Sequence, residues 1–486
     1  MTSISYDHSS QNINSLLQVA NTQNVSYTTN AQQRSAKATT KHSLAAPNEI
    51  PLVVFFPSST QQTSVILKAC HERRIAVTSF SGGTSFGGAL TATRGGVCIS
   101  FEKMKAMIAL HEDDMDVVVQ PGLGWVELNE QLEARGLFFP VDPAPGASIG
   151  GMIAMSCSGT NAYRYGTMKE WVISLTAVLA DGSIVTTHQR PRKSAAGYDL
   201  THLIIGSEGT LGLVTEAVLR LASIPLHLYI GMATFDTFQQ GVDVVVALQK
   251  SGHKLEMLEL ADGPQMHAIN HSKLISQKFE EVSTLFMKFA GPSLQVVRDQ
   301  IKLVEQICRQ NKALSCEVTN DKDRINIIWG ARKCIGHALV AMKRKSTDLF
   351  LHTDCAVPIS NLAALVEGTQ RLVAEAMLSG SGGGWFCANV GHVGDGNVHS
   401  SVVCPVEDKY KVEQVLQKVA SFALSLEGTV TGEHGVGLKL RDALAEEVGV
   451  SGVDMMRRIK IALDERCILN PDKVFRLDVD APKAKL

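Results

Sequence analysis

Residues 145–151 read Pro-Gly-Ala-Ser-Ile-Gly-Gly, and Ser158-Gly-Thr-Asn-Ala-Tyr-Arg-Tyr-Gly166 follows shortly after. An earlier cluster, Ser81-Gly-Gly-Thr-Ser-Phe-Gly-Gly88, comes directly after the β-rich run Ala76–Phe80, and a later one reads Gly206-Ser-Glu-Gly-Thr-Leu-Gly212. Glycine has no Cβ and enters positive φ freely, so such loops let backbone N–H groups approach an anion and point at it. One cluster alone reads as a turn. Three, each with Ser or Thr beside its glycines, read as a cradle for a large phosphate-bearing cofactor held without lysines. The arrangement is not the Rossmann fingerprint, because no Gly-x-Gly-x-x-Gly joins a first strand to a helix with an acid further on.

A chain of 486 residues is too long for one small core, and 45% hydrophobic residues can fill two. Charged residues make up 19% and the net charge is −2, which excludes the basic field that nucleic-acid binding requires. The ten cysteines show no Cys-x-x-Cys spacing, so buried thiols in a reducing compartment are expected. No apolar run is long enough for a membrane span. Residues 1–46 are rich in Ser, Thr, Asn and Gln, carry Arg34 as their one arginine, and predict a short helix around Ile13–Ala20 followed by loop. The last residues, Ala484-Lys485-Leu486, are a close variant of the Ser-Lys-Leu address. They place the chain in a peroxisome, delivered by an import receptor, with mitochondrion or cytoplasm as the alternatives.

Between these ends the pattern is α+β, not a regular βαβ repeat. Leu52–Phe56 and Ala76–Phe80 read as strands, Ser58–Arg73 as a helix, and Trp171–Leu179 with Ser183–Thr187 as a hairpin across Asp181-Gly182. Further on, strands such as Leu228–Ala233 and Glu281–Phe289 alternate with long helices such as Gln240–Gln249 and Leu294–Gln310. The organisation expected is 1–46 helix and loop, 47–224 cofactor domain, 225–476 second domain and 477–486 flexible tail.

A second constellation lies near the C-terminus, in Gly391-His-Val-Gly-Asp-Gly-Asn-Val-His399 and Thr431-Gly-Glu-His-Gly-Val-Gly437. Residues seven apart face opposite sides of a straight strand. Gly394, Gly396 and Asn397 argue against a helix and for a turn, and a bend there would bring His392 and His399 to one point. Glu433 would complete a two-histidine, one-carboxylate set for a divalent metal, zinc first. Hydrogen-bonded histidines in a buried loop fit the same spacing.

The stretch 139–221 resembles the flavin domain of the vanillyl-alcohol oxidase and p-cresol methylhydroxylase superfamily, closest to its D-lactate dehydrogenase and glycolate oxidase branch. Residues 142–167 are similar to the pyrophosphate loop. Arg192-Lys-Ser-Ala-Ala-Gly-Tyr-Asp-Leu200, Gly206–Gly212 and Ile468-Leu-Asn-Pro-Asp-Lys-Val-Phe475 are similar to its other signatures. The likeness covers roughly 47–476. It implies a p-cresol methylhydroxylase-type flavin domain of two subdomains, a C-terminal cap of antiparallel sheet and helices, and FAD held between them. Gly82, Gly83, Thr84 and Ser85 would hold the cofactor from one side and Ser148, Gly150, Gly151, Gly159 and Thr160 from the other. Glu208 and Gly209 would line its adenine-to-ribitol side, and Asn470 would approach the flavin ring. Ser81 stands where the family has a glycine, and Phe86-Gly87 replaces another pair. No histidine lies in the first glycine loop, so FAD is expected to be non-covalent.

The resemblance also implies a reaction. Related D-2-hydroxy-acid dehydrogenases place a divalent metal on the set matching His392, His399 and Glu433. There His434 would be the general base, Arg332 in Trp-Gly-Ala-Arg-Lys would grip the substrate carboxylate, and Asn397 could bond a substrate oxygen. Relatives acting on D-2-hydroxyglutarate carry a lysine where Leu351–Ser360 offers His352. D-lactate therefore leads as the 2-hydroxy acid, with D-2-hydroxyglutarate or glycolate as alternatives. An alkylglycerone-phosphate synthase-like enzyme and a non-catalytic flavin-binding module are more distant readings. The electron acceptor and the oligomeric state are not written in any motif, and a homodimer stays open.

Overall fold

The structure, a computed structural model, describes residues 4–40, 43–378 and 384–477. The tail tripeptide 484–486 lies outside the described residues. The chain divides into two compact units. The first gathers the residues up to Gly159, Gly166–Ile224 and the described residues from Glu433 on; the second holds Thr160–Tyr165 and Pro225–Gly432. Residues 433–476, which the sequence reading assigns to the C-terminal domain, thus return to the first unit.

The first unit contains two main sheets. In the smaller, the strands lie in the order Ser26–Thr28, Val53–Phe56, Val97–Ser100, Val77–Phe80. Val97–Ser100 runs parallel to both neighbours and is buried along its length, as a strand covered on both faces must be. The helix Thr60–Glu72 starts where the Ser59 hydroxyl accepts the Gln62 N–H at 3.2 Å. It buries Ile66, Leu67 and Cys70 in the same core as Val97 and Ile99, and Ile468 and Leu469 from the chain's far end join them. The backbone confirms that return: Val77 N–H donates to Ile468 at 2.8 Å and Asn470 N–H to Val77 at 2.7 Å.

The larger sheet is antiparallel, in the order Met107–His111, Asp116–Val119, Leu213–Arg220, Val172–Val178, Ile184–Thr186. Its last hairpin turns at Asp181-Gly182, where Gly182 has φ +87°, as that dipeptide predicts. The Trp125–Leu132 helix is packed into this sheet's core through Leu128 and Leu132 and is followed by Gly136 in the left-handed region at φ +67°.

The second unit is built on one antiparallel sheet in the order Ser315–Thr319, Tyr229–Phe235, Ser283–Phe289, Met257–Ala261, Phe386–Gly391, Asn397–Cys404, Leu349–His352, with Cys355–Ala356 paired beside Asn397. Side chains alternate along each strand. Met257 and Ala261 therefore share a face, in a core with Met266 and Ile269 of helix Gly263–Ser272 and Ile328 and Ala331 of helix Lys322–Lys333. Together the two units make the α+β architecture expected from the sequence. The helical segment Arg441–Leu463 is kinked at Gly449 (φ 72°, ψ 169°), which joins two shorter helices.

A buried lysine closes the first unit. Lys460 Nζ donates to the Thr210 carbonyl at 2.6 Å, the Leu469 carbonyl at 2.7 Å and Asp464 Oδ2 at 2.5 Å, while Asp464 accepts the N–H groups of Ile468 and Leu469. Both side chains are almost wholly buried. The ammonium tolerates this site only because all three of its donors are used. Lys460→Met should leave Asp464 without its cation and cost about 3–5 kcal/mol. Denaturant unfolding followed by circular dichroism would show this as a lowered midpoint, and an unchanged midpoint would refute the ascribed role.

Candidate active site

The three glycine loops all reach one short segment of the first unit, Glu433-His-Gly-Val-Gly-Leu438. From the first loop, the Phe86 ring stacks on His434 with centroids 4.2 Å apart and planes at 26°, and the Gly87 carbonyl accepts the Leu438 N–H at 2.7 Å. From the second, the Ser158 hydroxyl donates to Glu433 Oε2 at 2.7 Å. From the third, Glu208 accepts the N–H of Val436 at 2.7 Å and of Gly437 at 2.9 Å. Phe86, a departure from the family pattern, therefore covers one imidazole face. Both ring nitrogens lie on the edge of His434 and stay clear of that stack.

The loops also press on one another. A Cβ on Gly82 would stand 2.7 Å from the Gly146 carbonyl and 2.8 Å from Ser148 N, and one on Gly159 would stand 2.5 Å from the Asp142 carbonyl. Backbone cannot yield as a side-chain end can, so these glycines are required for close approach. Gly150 has a similar need against Pro121, whereas Gly151 has room. Thr84 is exposed, and Ser148 opens the helix Ile149–Met155 without capping it through its side chain. Thr160 begins the short segment grouped with the second unit. Gly209 has φ +70°, beside Ser79 and Asn470.

Two polar atoms among these residues test whether FAD fits. Ser85 Oγ and Asn470 Oδ1 are buried with no protein partner, and a bound molecule could satisfy them. With the crowded glycines they form a cradle of the kind that a pyrophosphate and flavin need.

Glu208, expected along the adenine-to-ribitol side of FAD, has protein partners for its side chain. Its carboxylate is turned to the backbone of 436 and 437 and is buried. Burial raises its pKa to about 7, against the two N–H groups and the charge of Lys473. Asn470 Nδ2 donates to the Glu208 carbonyl at 2.6 Å, so its amide nitrogen is committed to protein.

The second unit brings the other expected residues together in two pairs of strands. His392 and His399 flank the turn between Phe386–Gly391 and Asn397–Cys404, and their rings meet edge to face at 5.2 Å. The turn read from Gly394-Asp-Gly-Asn397 is present. His392 Nδ1 is hydrogen-bonded to Glu259 Oε1 at 2.5 Å, whereas Asp354 Oδ1 lies 3.4 Å from His399 Nδ1 without hydrogen-bond geometry. Glu259 Oε2 also accepts Arg332 Nη2 at 2.7 Å and Nε at 3.1 Å. Burial pushes the Glu259 pKa up, but Arg332 and His392 more than offset it and hold it below the usual range. Arg332 is thus no surface cation; a buried carboxylate orients it.

Asn397 Nδ2 donates to Asp354 Oδ1 at 2.9 Å and to the Cys355 carbonyl at 3.2 Å, leaving Oδ1 buried without a protein partner. The open atom is an acceptor, so it suits a hydroxyl better than a carboxylate. Asp354 also accepts from Thr431 Oγ1 at 2.9 Å, and its carbonyl accepts Gly432 N–H at 2.7 Å. Glu259, Asp354, Ser158 and Phe86 were not found from sequence. The available signal was a lone carboxylate in the apolar run Met257-Leu-Glu-Leu-Ala261, since buried charges occur where they have partners.

A family model described as "FAD binding domain" matches residues 51–188, and one described as "FAD linked oxidases, C-terminal domain" matches 224–474. A mitochondrial D-lactate dehydrogenase (cytochrome) of Kluyveromyces lactis is 43% identical over 89% of this chain and 75% of its own. The corresponding Arabidopsis thaliana protein is 41% identical over 92% of this chain and 77% of its own. Among solved structures, p-cresol methylhydroxylase with substrate bound superposes with a TM-score of 0.76 at 14% identity, covering 96% of this chain and 98% of that one, which speaks to the fold. The chain belongs to the FAD-linked oxidases. It is an oxidoreductase of the D-lactate dehydrogenase (cytochrome) kind, and FAD is its cofactor.

The mitochondrial relatives overturn the peroxisomal reading of Ala484-Lys485-Leu486, and the import receptor falls with it. A tripeptide is an address read by a receptor. Its three residues recur by chance far more readily than the long glycine blocks. Among the described residues, no helix is long and apolar enough to cross a membrane.

Gly82→Ala should separate the first loop from the Gly146–Ser148 backbone. A core-like overlap costs about 1–3 kcal/mol, or roughly tenfold or more in affinity for FAD. Flavin absorbance of the purified variant, titrated with FAD, measures this, and wild-type affinity would refute the cradle.

Proposed function

We propose that the protein oxidises a D-2-hydroxy acid, D-lactate first, to the 2-oxo acid. The observation that carries this reading is the set of site side chains, each fixed by its own partner. Arg332 is oriented by Glu259, Asn397 by Asp354, and His434 by the Phe86 ring. Their chemistry matches the parts of a hydroxy acid: a guanidinium for the carboxylate, an amide oxygen for the hydroxyl, and an imidazole for its proton.

Arg332 would bind the substrate carboxylate with donors not used by Glu259. Asn397 Oδ1 would accept the hydrogen bond of the substrate hydroxyl on binding, and that single hydrogen would then rotate about the C–O bond toward His434. An imidazole nitrogen of His434 would take the hydroxyl proton as the α-hydrogen leaves. FAD, bound non-covalently by the glycine loops, supplies the two-electron acceptor at flavin N5. His392, His399 and Glu433 would hold a divalent metal, with zinc favoured by their nitrogen and oxygen donors. Such an ion supplies a Lewis acid that makes a hydroxyl easier to deprotonate. The hydrogen bond of His392 Nδ1 to Glu259 supports this assignment, because ligating histidines are commonly fixed in that way and present Nε2. The names of the relatives support D-lactate as substrate, cytochrome as acceptor and the mitochondrion as location.

Mixed anaerobically with D-lactate, the yellow protein should bleach near the flavin maximum, while L-lactate leaves it coloured. Unbleached flavin across a panel of D-2-hydroxy acids would sink the reading. His434→Asn should slow bleaching by about 10²–10⁴-fold with flavin content unchanged, the range expected for a lost general base. Chelator treatment should slow it as well, with restoration by zinc.

A further inference from the structure

Successive backbone N–H groups around a left-handed residue form a concave nest for an anion. Residues 435–437 make one: Gly435 has φ +76°, Gly437 has φ +52°, and the N–H groups of Val436 and Gly437 converge. In a flavin domain such a nest invites a phosphate. Here the Glu208 carboxylate fills it, with Oε1 shared between both N–H groups at 2.7 and 3.1 Å and Oε2 on Gly437 at 2.9 Å.

Glu208 itself is firmly held. It sits at φ 52°, rare for a residue with a side chain, which marks a conformation its surroundings impose. Its N–H donates to the Ala154 carbonyl at 2.9 Å and its carbonyl accepts Asn470 Nδ2 at 2.6 Å. The receiving turn is equally tight. A Cβ on Gly435 would lie 2.3 Å from Met155 Cε and 2.8 Å from Glu208 Oε1, and one on Gly437 would lie 2.2 Å from the Gly87 carbonyl oxygen. Glu433 and His434 come immediately before this nest.

We infer that Glu208 is a positioning residue, not a cofactor ligand: its carboxylate clamps the 435–437 backbone and thereby fixes Glu433 and His434 for proton removal. The inference rests on His434 being the base. Glu208 contacts neither substrate nor the reacting atoms and acts only through the turn. It requires an acceptor on both oxygens, because an amide would turn its NH₂ toward one of the two N–H donors.

The test is Glu208→Gln in the full holoenzyme. Amide exchange at Val436 and Gly437, resolved by mass spectrometry, should be slow in the wild type and roughly tenfold or more faster in the variant, since exchange reports local opening. With D-lactate, kcat should fall by about 10–100-fold, as small misplacements cost that much, while KM and the Kd for FAD should stay within about threefold, under 1 kcal/mol of binding. Gly435→Ala should reproduce this pattern, and the double variant should be little worse than either single, because both break one contact. Loss of FAD with the amides still protected would overturn the inference in favour of a cofactor ligand. Unchanged kcat with the amides released would overturn it as well. If the variants do not fold, wild-type exchange decides: unprotected 436 and 437 amides would refute the clamp. A wild type that oxidises no D-2-hydroxy acid would sink the proposed function instead, while the exchange result would still judge the clamp.

Discussion

A buried carboxylate needs donors, and Glu208 finds them on a turn more than two hundred residues further along the chain. That pairing, with the Lys460–Asp464 pair beside it, is why the chain must return to the first unit after residue 432. Lys460 ties the carbonyl of Thr210, two residues from Glu208, to Leu469, and Leu469 lies next to Val77 at the start of the strand that leads into the first glycine loop. The cofactor loops and the turn bearing Glu433 and His434 are therefore one packed object. A displacement of any glycine loop reaches His434 through a named contact: Gly87 to Leu438, Ser158 to Glu433, or Glu208 to Val436.

The second unit solves the same positioning problem differently. Its site residues sit on strands and on one helix, so side chains, not backbone, hold them in place. Glu259 alternates into the core face of its strand, where it meets Arg332 from the covering helix and His392 from the next strand's end. The Arg332 and His392 positions are consequently coupled through one carboxylate. Asp354 couples His399, Asn397 and Thr431 in the same way. Taking either carboxylate out of water is costly, and only full pairing offsets that cost. Such groups survive where they specify geometry.

Local signals carried most of the secondary structure. The helix Leu294–Gln310 is bounded as the pattern predicts, and the hairpin at Asp181-Gly182 and the turn after His392 follow from glycine chemistry. The close approach of the three glycine clusters was legible because their conformational requirement is local. The return of 433–477 was not legible, since hydropathy says that a segment is buried but not against which core. Glu259 and Asp354 were missed for a related reason. A lone acid in an apolar strand shows that a partner exists, yet Arg332 stands 73 residues from Glu259 and His392 stands 133. The tail tripeptide misled because three residues recur by chance.

Glu208 shows how a motif residue can hold partners that its motif does not reveal. The Gly-Ser-Glu-Gly block matches a flavin-domain signature, and an acid between glycines beside a dinucleotide invites assignment to the nucleotide. Electrostatics argues otherwise. A carboxylate facing a pyrophosphate would meet like charge in a desolvated site, which is destabilising without an intervening cation. Turned to the nest of 436 and 437, the same carboxylate meets two N–H dipoles, and Lys473 contributes a favourable charge. The burial that raises its pKa to about 7 is the cost of this arrangement, and residue 208 also carries an unusual backbone angle, φ 52°. The block's glycines leave the acid between them free to reach the backbone of 436 and 437, two residues past His434.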